Sequence, residues 1–391
     1  MITSSRVIDG RPTDNATVVH FGRQTGPGTH SIERLFAEVR RQLEDRFLVN
    51  PVRCATPAQT TWWLPAGLYR ARQQKADVFH ITGDIHYVAL ALPGRRTVLT
   101  VHDLNHLDDL SGLRHYLYKW LYFTIPLWKC ETITCISEYT QRRLLERFPW
   151  VGTKLRVIPN CVPCAYVPQP KPFNRSKPRL LQVGTMPNKG LERLAESLVG
   201  ERCIVHIIGR LTAGQRLLLH RCCIEYENQA NITDLEMHKA YVDADVVTFI
   251  SVAEGFGLPI IEANAIGRPV ITSRMSPMCD VAGHAACLVD PMNIEDIRRG
   301  VRRVLHDAGY REELITNGYE NVTRFAAREV ADRYAELYRE VIAHNHPTLR
   351  RDGPLQSFED HSDRPCGPSI SSGLRLSGLG SDPMKGAGDL Q

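Results

Sequence analysis

The sequence predicts an α/β protein with two doubly wound parallel sheets, in two Rossmann-like domains that face a cleft. Short apolar, β-branched runs alternate with amphipathic helical patterns along most of the chain. The 391 residues are enough for two domains of ordinary size. Six prolines between residues 159 and 178 interrupt the alternation near the middle. Such a proline-rich stretch indicates an extended linker, which we place at 161–178.

The first predicted domain covers residues 17–160 and follows an N-terminal extension, 1–16. Gly26-Pro-Gly28 predicts a loop after the first strand, and an amphipathic helix is predicted from Ser31 to Arg41. Apolar runs of this kind are typical of buried parallel sheets. The predicted strands are Thr17–Phe21, Asp77–Ile81, Thr97–Val101, Thr132–Ile136 and Leu155–Ile158.

The second predicted domain covers residues 179–324, and a last long helix within 325–345 is expected to pack back toward the first domain. From 346 to 391 the chain is rich in Gly, Ser, Pro and Asp, so we predict a disordered tail that buries too little surface to fold. Predicted strands are Leu180–Val183, Ile204–Ile208, Val246–Ile250, Val270–Thr272 and Cys287–Val289, with helices at Leu191–Leu198 and Ile294–Leu305.

Composition excludes several classes of protein. The chain is 43% apolar and 23% charged, as in soluble globular proteins. No run of eighteen apolar residues and no apolar signal-peptide core are present, so a cytoplasmic protein is expected. Eleven cysteines are an odd number, which argues against a disulfide framework. The basic residues are scattered and form no nucleic-acid motif, so no nucleic-acid partner is predicted.

The front of the chain carries an excess of positive charge. Residues 1–165 contain 21 Lys and Arg against 14 Asp and Glu, a net +7. This excess fits an anionic acceptor or peripheral contact with an anionic membrane at its inner face, and it fits an ordinary surface equally well. The segment Leu113–Trp128 holds six aromatic residues, with Arg114, Lys119 and Lys129 around them. We interpret it as a buried helix whose basic side chains reach solvent, with a membrane-surface helix as the alternative.

The most informative stretch is Ala253–Ala263, which follows a predicted strand. It places Glu254 and Glu262 around a glycine-flanked phenylalanine and Pro259, a residue that suits the first turn of a helix. The glycines therefore lie at the strand end, where open α/β sheets bind ligands. Both carboxylates can then face one ligand, with backbone N–H groups between them. This layout suits a hydroxyl-rich, anionic molecule such as a nucleotide sugar.

At these residues the chain resembles the retaining glycosyltransferases of family four, which have the GT-B fold. Their signature, E-G-F-G-x-P-x-x-E-A, matches Glu254 to Ala263 at every fixed position. The resemblance covers roughly residues 18–343. Further matching segments follow in the family's order: His80–Tyr87, Thr100–Asp103, Ile136–Glu138, Arg156–Asn160, the phosphate-binding loop in Leu181–Gly190, Gly267–Thr272 and Leu288–Pro291.

The resemblance implies a set of residues that bind the donor. Negative charge grows on the departing diphosphate, so Lys189 is the implied cation there. Many family members carry an arginine where this chain has Thr185, and Arg210 is a candidate to compensate. Glu262 would accept hydrogen bonds from the ribose, and Glu254 from a hydroxyl of the donor sugar. The remaining donor-side residues are Gly184, Gly255, Phe256, Gly257 and Leu258.

The first domain would supply the acceptor side of the cleft. By resemblance His102 lies near the donor sugar and the incoming acceptor, where an imidazole could donate to a sugar hydroxyl or ease proton movement. Together with Lys189 and Glu254 it forms the predicted catalytic set. No dedicated base is required, since the acceptor proton would pass to the departing phosphate. The other predicted residues on this side are Gly26, Gly28, Asp84, His86 and Asp103.

No metal or cofactor is predicted. Asp243-Ala-Asp245 resembles a D-x-D metal motif of a different glycosyltransferase fold, but here it directly precedes a strand. We therefore interpret it as a helix end and turn. Cys161 and Cys164 form a lone C-x-x-C without a second pair at zinc-ligand spacing, so we predict reduced thiols.

Three functions remain open at this point. The leading hypothesis is a retaining, metal-independent transferase that moves a hexose, such as mannose or glucose, from a nucleotide sugar to a glycan or lipid-linked glycan. A nucleotide-sugar epimerase is the second. Turnover of the nucleotide sugar that needs no acceptor and involves no hydrolysis would support it. The third is a scaffold that holds a nucleotide sugar without turnover, which Thr185 in place of arginine favours.

Overall fold

The computed structural model describes residues 16–24, 31–56, 63–108 and 111–345. These residues form two six-stranded sheets in which every pair of neighbouring strands is parallel. The strand orders are β2-β1-β3-β4-β5-β6 and β12-β11-β10-β7-β8-β9. The predicted fold class, two Rossmann-like domains, is confirmed. The predicted tail, 346–391, and residues 1–15 of the predicted extension lie outside the described residues.

The first domain contains the strands of sheet 1. They are β1 (Thr17–Arg23), β2 (Leu48–Cys54), β3 (Val78–Ile81), β4 (Thr97–Val101), β5 (Thr132–Cys135) and β6 (Leu155–Val157). Its helices are α1 (Ser31–Leu43), α2 (Trp63–Arg72), α3 (Asn105–Asp108), α4 (Gly112–Tyr118), α5 (Ile125–Lys129) and α6 (Glu138–Arg147). Strands β3 and β4 are buried along their whole length.

The second domain contains the strands of sheet 2. They are β7 (Arg179–Val183), β8 (Ile204–Ile208), β9 (Glu225–Gln229), β10 (Val246–Phe249), β11 (Val270–Ser273) and β12 (Cys287–Val289). Its helices are α7 (Leu191–Ser197), α8 (Ala213–Arg221), α9 (Asp234–Asp243), α10 (Leu258–Ile266), α11 (Met278–Ala282), α12 (Ile294–His306) and α13 (Ala308–Thr323). Contacts between the two domains join them into one compact unit. The structure therefore does not mark where one domain ends and the next begins, and the predicted limits stay predictions.

Two strands were not predicted, and both lie at the edge of a sheet. Strand β2 contains Pro51 and is largely exposed. Strand β9 alternates exposed Glu225, Glu227 and Gln229 with half-buried Tyr226 and Asn228. An edge strand has one unpaired side, so it tolerates proline and charge that a central strand excludes. The search for continuous apolar runs therefore finds the central strands of both sheets and misses these edges.

The last helix, α14 (Ala327–Asn345), leaves the second domain and packs on the first. Its apolar side, including Val330 and Val341, joins a buried cluster with Val18 of β1 and Val98 of β4. The hydroxyl of Tyr338 hydrogen-bonds to His20 Nε2 at 2.9 Å and to His80 Nδ1 at 2.6 Å. The helix therefore forms part of the hydrophobic core of the first domain.

The aromatic segment that we predicted as a buried helix is buried on one side only. It consists of α4, a π-helical turn (Lys119–Thr124) and α5. Tyr122 and Phe123 are buried, as predicted. The prediction is wrong for the opposite side, because Leu113, Tyr116, Leu117 and Trp120 are 56–74% exposed and Trp128 is 71% exposed. The spacing of the first four, at i, i+3, i+4 and i+7, places them in one stripe along the helix.

Candidate active site

The strand order predicts where ligands bind. In sheet 2 the chain reverses its direction of winding between β7 and β10, which are neighbours. Ligands of doubly wound sheets bind beyond the carboxyl ends of the strands at such a switch point. The loop after β7 contains Gly184 and Lys189, and the loop after β10 contains the E-G-F-G residues. The two motifs that were singled out in the sequence therefore meet at the predicted place.

An ion pair joins these two loops. Lys189 Nζ lies 2.5 Å from Glu254 Oε1, and both side chains are largely buried. The Asn188 side chain donates to the Ala253 carbonyl at 2.9 Å, and the buried Gln182 amide donates to the Lys189 carbonyl at 3.0 Å. The lysine is thus held in place by backbone contacts on both sides.

Gly184 and Gly255 are required by backbone geometry. Gly184 has φ +91°, a conformation that side chains disfavour. A Cβ on Gly255 would lie 2.4 Å from the carbonyl oxygen of His102, at the carboxyl end of β4. The Gly255 carbonyl in turn accepts a hydrogen bond from Ser137 Oγ at 2.8 Å. The E-G-F-G loop therefore touches the first domain directly, and this contact places Glu254 near His102.

His102 has one ring nitrogen already engaged. Its Nε2 lies 2.8 Å from the Thr82 carbonyl oxygen, which can only accept, so Nε2 carries a proton. In the neutral ring the other nitrogen, Nδ1, is an acceptor. The ring is 4% exposed, and the predicted role of His102 toward the donor sugar stays a prediction. The bond to Thr82 fixes the ring plane.

Two carboxylates stand on the acceptor side of the cleft. Burial raises the pKa of Asp103, and the negative charge of Asp84 adds to the effect. Asp84 is 42% exposed and lies 3.5 Å from Arg23, which also pairs with Glu33 at 2.9 Å. Oxygens of this kind can accept hydrogen bonds from a polyhydroxyl acceptor. The other predicted residues of this side, Gly26 and Gly28, lie outside the described residues.

His86 does not fit the acceptor-side role predicted for it. The side chain is 2% exposed, and its ring packs edge-on against Phe123 at 5.2 Å. Its Nδ1 lies 2.7 Å from the Tyr122 carbonyl oxygen. Burial lowers the pKa of His86, which keeps the ring neutral. We correct the assignment: His86 is a core residue of the first domain.

A cavity of about 320 Å³ lies beside the switch point of sheet 2. Glu262, on α10, lines it and is 4% exposed. Glu262 Oε2 accepts a hydrogen bond from the buried Tyr241 hydroxyl at 2.7 Å, and Oε1 accepts one from Arg34 Nη2 at 2.5 Å. Arg34 belongs to α1 of the first domain, and sequence reasoning missed it because no motif surrounds it. A carboxylate on a cavity wall is a suitable partner for ribose hydroxyls.

The residues that line the cavity also include Gly184, Gly209 and Arg210. Thr185 does not face an anion there. Its hydroxyl donates to the Arg210 carbonyl at 2.8 Å and thereby ties the loop after β7 to the loop after β8. The Arg210 side chain is exposed at the mouth of the cavity. Thr185 therefore stabilises the shape of the loop. It supplies no positive charge at the position where the resemblance led us to expect an arginine.

The residues between the two glutamates are placed mainly through their backbones. Phe256 is 4% exposed and packs edge-on against Phe325 at 5.5 Å, so its side chain belongs to the core. Gly257, at φ +112°, caps α10, which begins at Leu258. Leu258 lines the cavity.

The aspartates of Asp243-Ala-Asp245 serve the turn, as predicted. Asp243 ends α9. The buried Asp245 carboxylate accepts from the backbone N–H of Arg179 at 2.8 Å and pairs with Lys171 at 2.9 Å. Among the described residues, no group of three or more His, Cys, Asp or Glu is placed to hold a metal ion. The ten cysteines in the described ranges, including Cys161 and Cys164, are unpaired.

Family models match nearly all of the two domains. The model described as "Glycosyltransferase Family 4" matches residues 17–166, and that described as "Glycosyl transferases group 1" matches residues 167–321. An uncharacterized glycosyltransferase of Methanocaldococcus jannaschii is 34% identical over 106 residues. The O-antigen chain mannosyltransferase B of Escherichia coli is 28% identical over 108 residues, and a mannosyltransferase of Mycolicibacterium hassiacum is 29% identical over 118. These alignments cover 26–29% of this chain and 27–29% of the relatives.

Solved structures share the fold at low sequence identity. The sucrose-phosphate synthase of Thermosynechococcus elongatus matches with a TM-score of 0.66 and 16% identity, over 84% of this chain and 100% of that one. The Anabaena protein HepE, in complex with UDP and glucose, matches with a TM-score of 0.65 and 14% identity, over 83% and 100%. With both family models matched in order along the two domains, the chain belongs to the GT-B glycosyltransferases of the family-four type.

Proposed function

We propose that the protein is a retaining glycosyltransferase that moves a hexosyl unit from a nucleoside diphosphate sugar to a glycan or glycolipid acceptor in cell-surface polysaccharide synthesis. The observation that carries the proposal is the contact of the E-G-F-G loop with His102 across the cleft. It brings the Lys189–Glu254 pair of one domain against the carboxyl end of β4 in the other. The names of the relatives, two of which are mannosyltransferases, support mannose as the first sugar to test.

The geometry suits stabilisation of a departing diphosphate. Lys189 and the N-terminal N–H groups of α10 supply positive charge where the phosphate charge would grow. Glu254 would accept from a hydroxyl of the donor sugar, which would release Lys189 toward the phosphate. Glu262 would hold the ribose. The acceptor would attack from the face of the leaving group and pass its proton to the phosphate, so the reaction needs neither a metal nor a dedicated base.

The first experiment is a screen of GDP, UDP and ADP sugars by thermal shift, followed by measurement of nucleoside diphosphate release. Stabilisation by one donor, with slow release that an added glycan accelerates, is the expected result. Conversion of the donor to its epimer without release would instead identify an epimerase. Stabilisation without release across a broad acceptor panel would favour the binding scaffold, the third candidate, which the presence of Thr185 in place of an arginine supports.

We further propose that the acceptor is presented at an anionic membrane. The exposed stripe of Leu113, Tyr116, Leu117 and Trp120 is an apolar helix face turned to solvent. Residues 111–130 also carry three Lys or Arg and no Asp or Glu. The apolar stripe fits the interfacial region of a bilayer, where each basic residue near the surface contributes about 1 kcal/mol. None of the helices within the described ranges has the length and apolarity needed to cross a bilayer.

Vesicle binding tests this membrane contact. The wild-type chain is expected to sediment with phosphatidylcholine vesicles that contain phosphatidylglycerol and not with phosphatidylcholine alone. The triple variant Tyr116→Ser, Leu117→Ser, Trp120→Ser should lose at least tenfold in partitioning. Leu217→Ser, which removes a 68% exposed leucine from α8 of the second domain, is the matched control. Equal partitioning of the triple variant and the control would reject the contact.

A further inference from the structure

Arg34 reaches from the first domain into the cavity of the second. Its Nη2 lies 2.5 Å from Glu262 Oε1 and its Nη1 lies 3.2 Å from Asp234 Oδ1. The guanidinium also lies 5.9 Å from the centre of the Tyr166 ring. Burial opposes the charge, but Glu262 and the neighbouring groups raise the pKa of Arg34. The side chain is therefore a cation held on the cavity wall.

This contact fills the position that the proposed function assigns to ribose. Glu262 has two oxygens; Tyr241 donates to one and Arg34 donates to the other. Tyr241 is fully buried and on the same side of the core as Glu262, so its bond can persist. Arg34 is the partner nearer to solvent, with 21% of its side chain exposed. Oε1 can accept two hydrogen bonds, so a ribose hydroxyl can either share this oxygen with Arg34 or replace the guanidinium there.

The released guanidinium has a suitable destination in the same cavity. In a nucleoside diphosphate, the first phosphate follows the ribose through one CH₂–O link. Arg34 lines the cavity together with Gly184 and Gly209, which follow strands β7 and β8. The arginine expected on this wall is absent, because Thr185 occupies its position and bonds to the Arg210 carbonyl. Arg210 lines the cavity as well, but its side chain is exposed, whereas Arg34 is held on the wall by two carboxylates.

We propose that Arg34 is a donor-recognition residue: ribose replaces it at Glu262, and the freed guanidinium binds the diphosphate in place of the arginine missing at Thr185. The inference rests on the proposed function of Glu262 and assigns a phosphate partner to the first domain. The exchange keeps both charges satisfied, since Glu262 gains hydroxyl donors and Arg34 gains phosphate oxygens. A nucleoside without phosphate would displace Arg34 and leave it with Asp234 alone. The site would therefore select diphosphates over nucleosides.

Calorimetry with uridine, UDP, guanosine and GDP tests this selection. For the base that binds, the ratio of diphosphate to nucleoside affinity is measured in the wild type and in Arg34→Gln. The ratio should fall at least tenfold in Arg34→Gln, while nucleoside affinity itself stays constant or rises. Arg34→Lys keeps a charge without the planar fork and should restore part of the ratio. Arg41→Gln, on the exposed side of the same helix, is the matched control and should leave the ratio unchanged.

The inference would be overturned if the ratio of diphosphate to nucleoside affinity were unchanged in Arg34→Gln. That result can arise in two ways: both affinities rise together, or neither changes. The first of these outcomes would identify Arg34 as a simple competitor of ribose. Glu262→Gln separates this failure from failure of the proposed function. If Glu262→Gln leaves nucleoside affinity unchanged, the ribose role itself is wrong. Melting curves of each variant verify that the fold is intact.

Discussion

The carboxyl ends of the two sheets are built in different ways. At the end of sheet 2, Lys189 and Glu254 form an ion pair beside an open cavity, with Glu262 on its wall. At the end of sheet 1, His80 and His102 are buried and their hydrogen bonds run inward to the backbone, to Thr100 and to Tyr338 of the last helix. The donor side thus presents charges that a ligand can exchange. The end of sheet 1 combines the carboxylates Asp84 and Asp103 with buried histidines that are bonded within the first domain.

The difference teaches which changes should affect chemistry and which should affect stability. Removing a charge from the donor side should leave the packing of the core unchanged, because these ion pairs border the cleft and the cavity. Removing a member of the histidine network leaves buried polar atoms without partners, which costs folding free energy. The contact between Gly255 and His102 joins the two sides, so a change there should affect catalysis through geometry.

The largest effect is expected for Lys189→Ala. Loss of the cation that meets the departing diphosphate should lower kcat by about 10²–10³-fold, the range measured when one electrostatic donor is removed. Donor affinity should fall much less, since the charge is needed most in the transition state. Steady-state kinetics checks this split, with Lys177→Ala, an exposed pair with Glu225, as the control. A loss confined to KM would remove Lys189 from transition-state stabilisation.

Gly255→Ala should follow in size. The added methyl would meet the His102 carbonyl at 2.4 Å, so the loop or the domain contact must shift. Misplacement of this order costs catalysis about 10²-fold. Gly214→Ala, where the nearest atom would lie 3.9 Å away, should keep full activity. Activity of Gly255→Ala equal to that of this control would show that the close approach is unimportant for turnover.

Acid should weaken the acceptor side before it affects the donor side. Burial lowers the pKa of His80 to about 3, with the charge of His102 as a second cause, and lowers that of His20 well below its ordinary value. In the unfolded chain both rings take up protons near pH 6.5. The free energy of unfolding is therefore greatest above pH 6.5 and falls as the pH drops toward 3, by about 1.4 kcal/mol per pH unit for each histidine.

Denaturant titrations between pH 4.5 and 6 check this dependence above the range where most carboxylates titrate. His80→Gln should reduce the slope of the unfolding free energy against pH by the contribution of one histidine, about 1.4 kcal/mol per pH unit. His220→Gln, at an exposed position of α8, should leave the slope unchanged. If the slope is no steeper in the wild type than in His80→Gln, the interpretation that His80 is buried in its neutral form is wrong.

The smallest effect is expected for Tyr338→Phe. The change removes one hydroxyl and leaves His20 Nε2 and His80 Nδ1 without that partner, at a cost of about 1–3 kcal/mol in stability. Donor binding should stay the same, since the network lies inside the first domain. Tyr69→Phe, at a 68% exposed tyrosine, is the control for chemical denaturation. Equal stability of the two variants would show that the network contributes little.

Sequence reasoning reached the central strands and the donor motifs because both are local patterns. The E-G-F-G stretch carries its own turn, cap and helix start within ten residues, so its structure follows from its order. The edge strands β2 and β9 escaped because they lack continuous apolar runs. The role of Arg34 was not predicted for another reason. Its partner Glu262 is 228 residues away in the chain, and no rule of sequence spacing connects the two.

The acceptor side was predicted less well for a physical reason. His86 and His102 both follow strands, and the sequence does not distinguish a ring that faces the cleft from one that packs beneath it. Packing against Phe123 decides the case of His86. Similarly, the exposed half of the aromatic segment depends on which side of α4 meets the core. A helix that is apolar on all sides carries no signal for that choice.

The position of the last helix has a consequence for biosynthesis. His20 and Tyr338 are bonded to each other but are separated by 318 residues in the chain. At synthesis rates of about 5–20 residues per second, Tyr338 is made roughly 15–60 s after His20. During that interval the first sheet exists without the helix that covers Val18 and Val98. The first half of this protein therefore exposes an apolar surface during synthesis. It completes its fold only when the second half has been made.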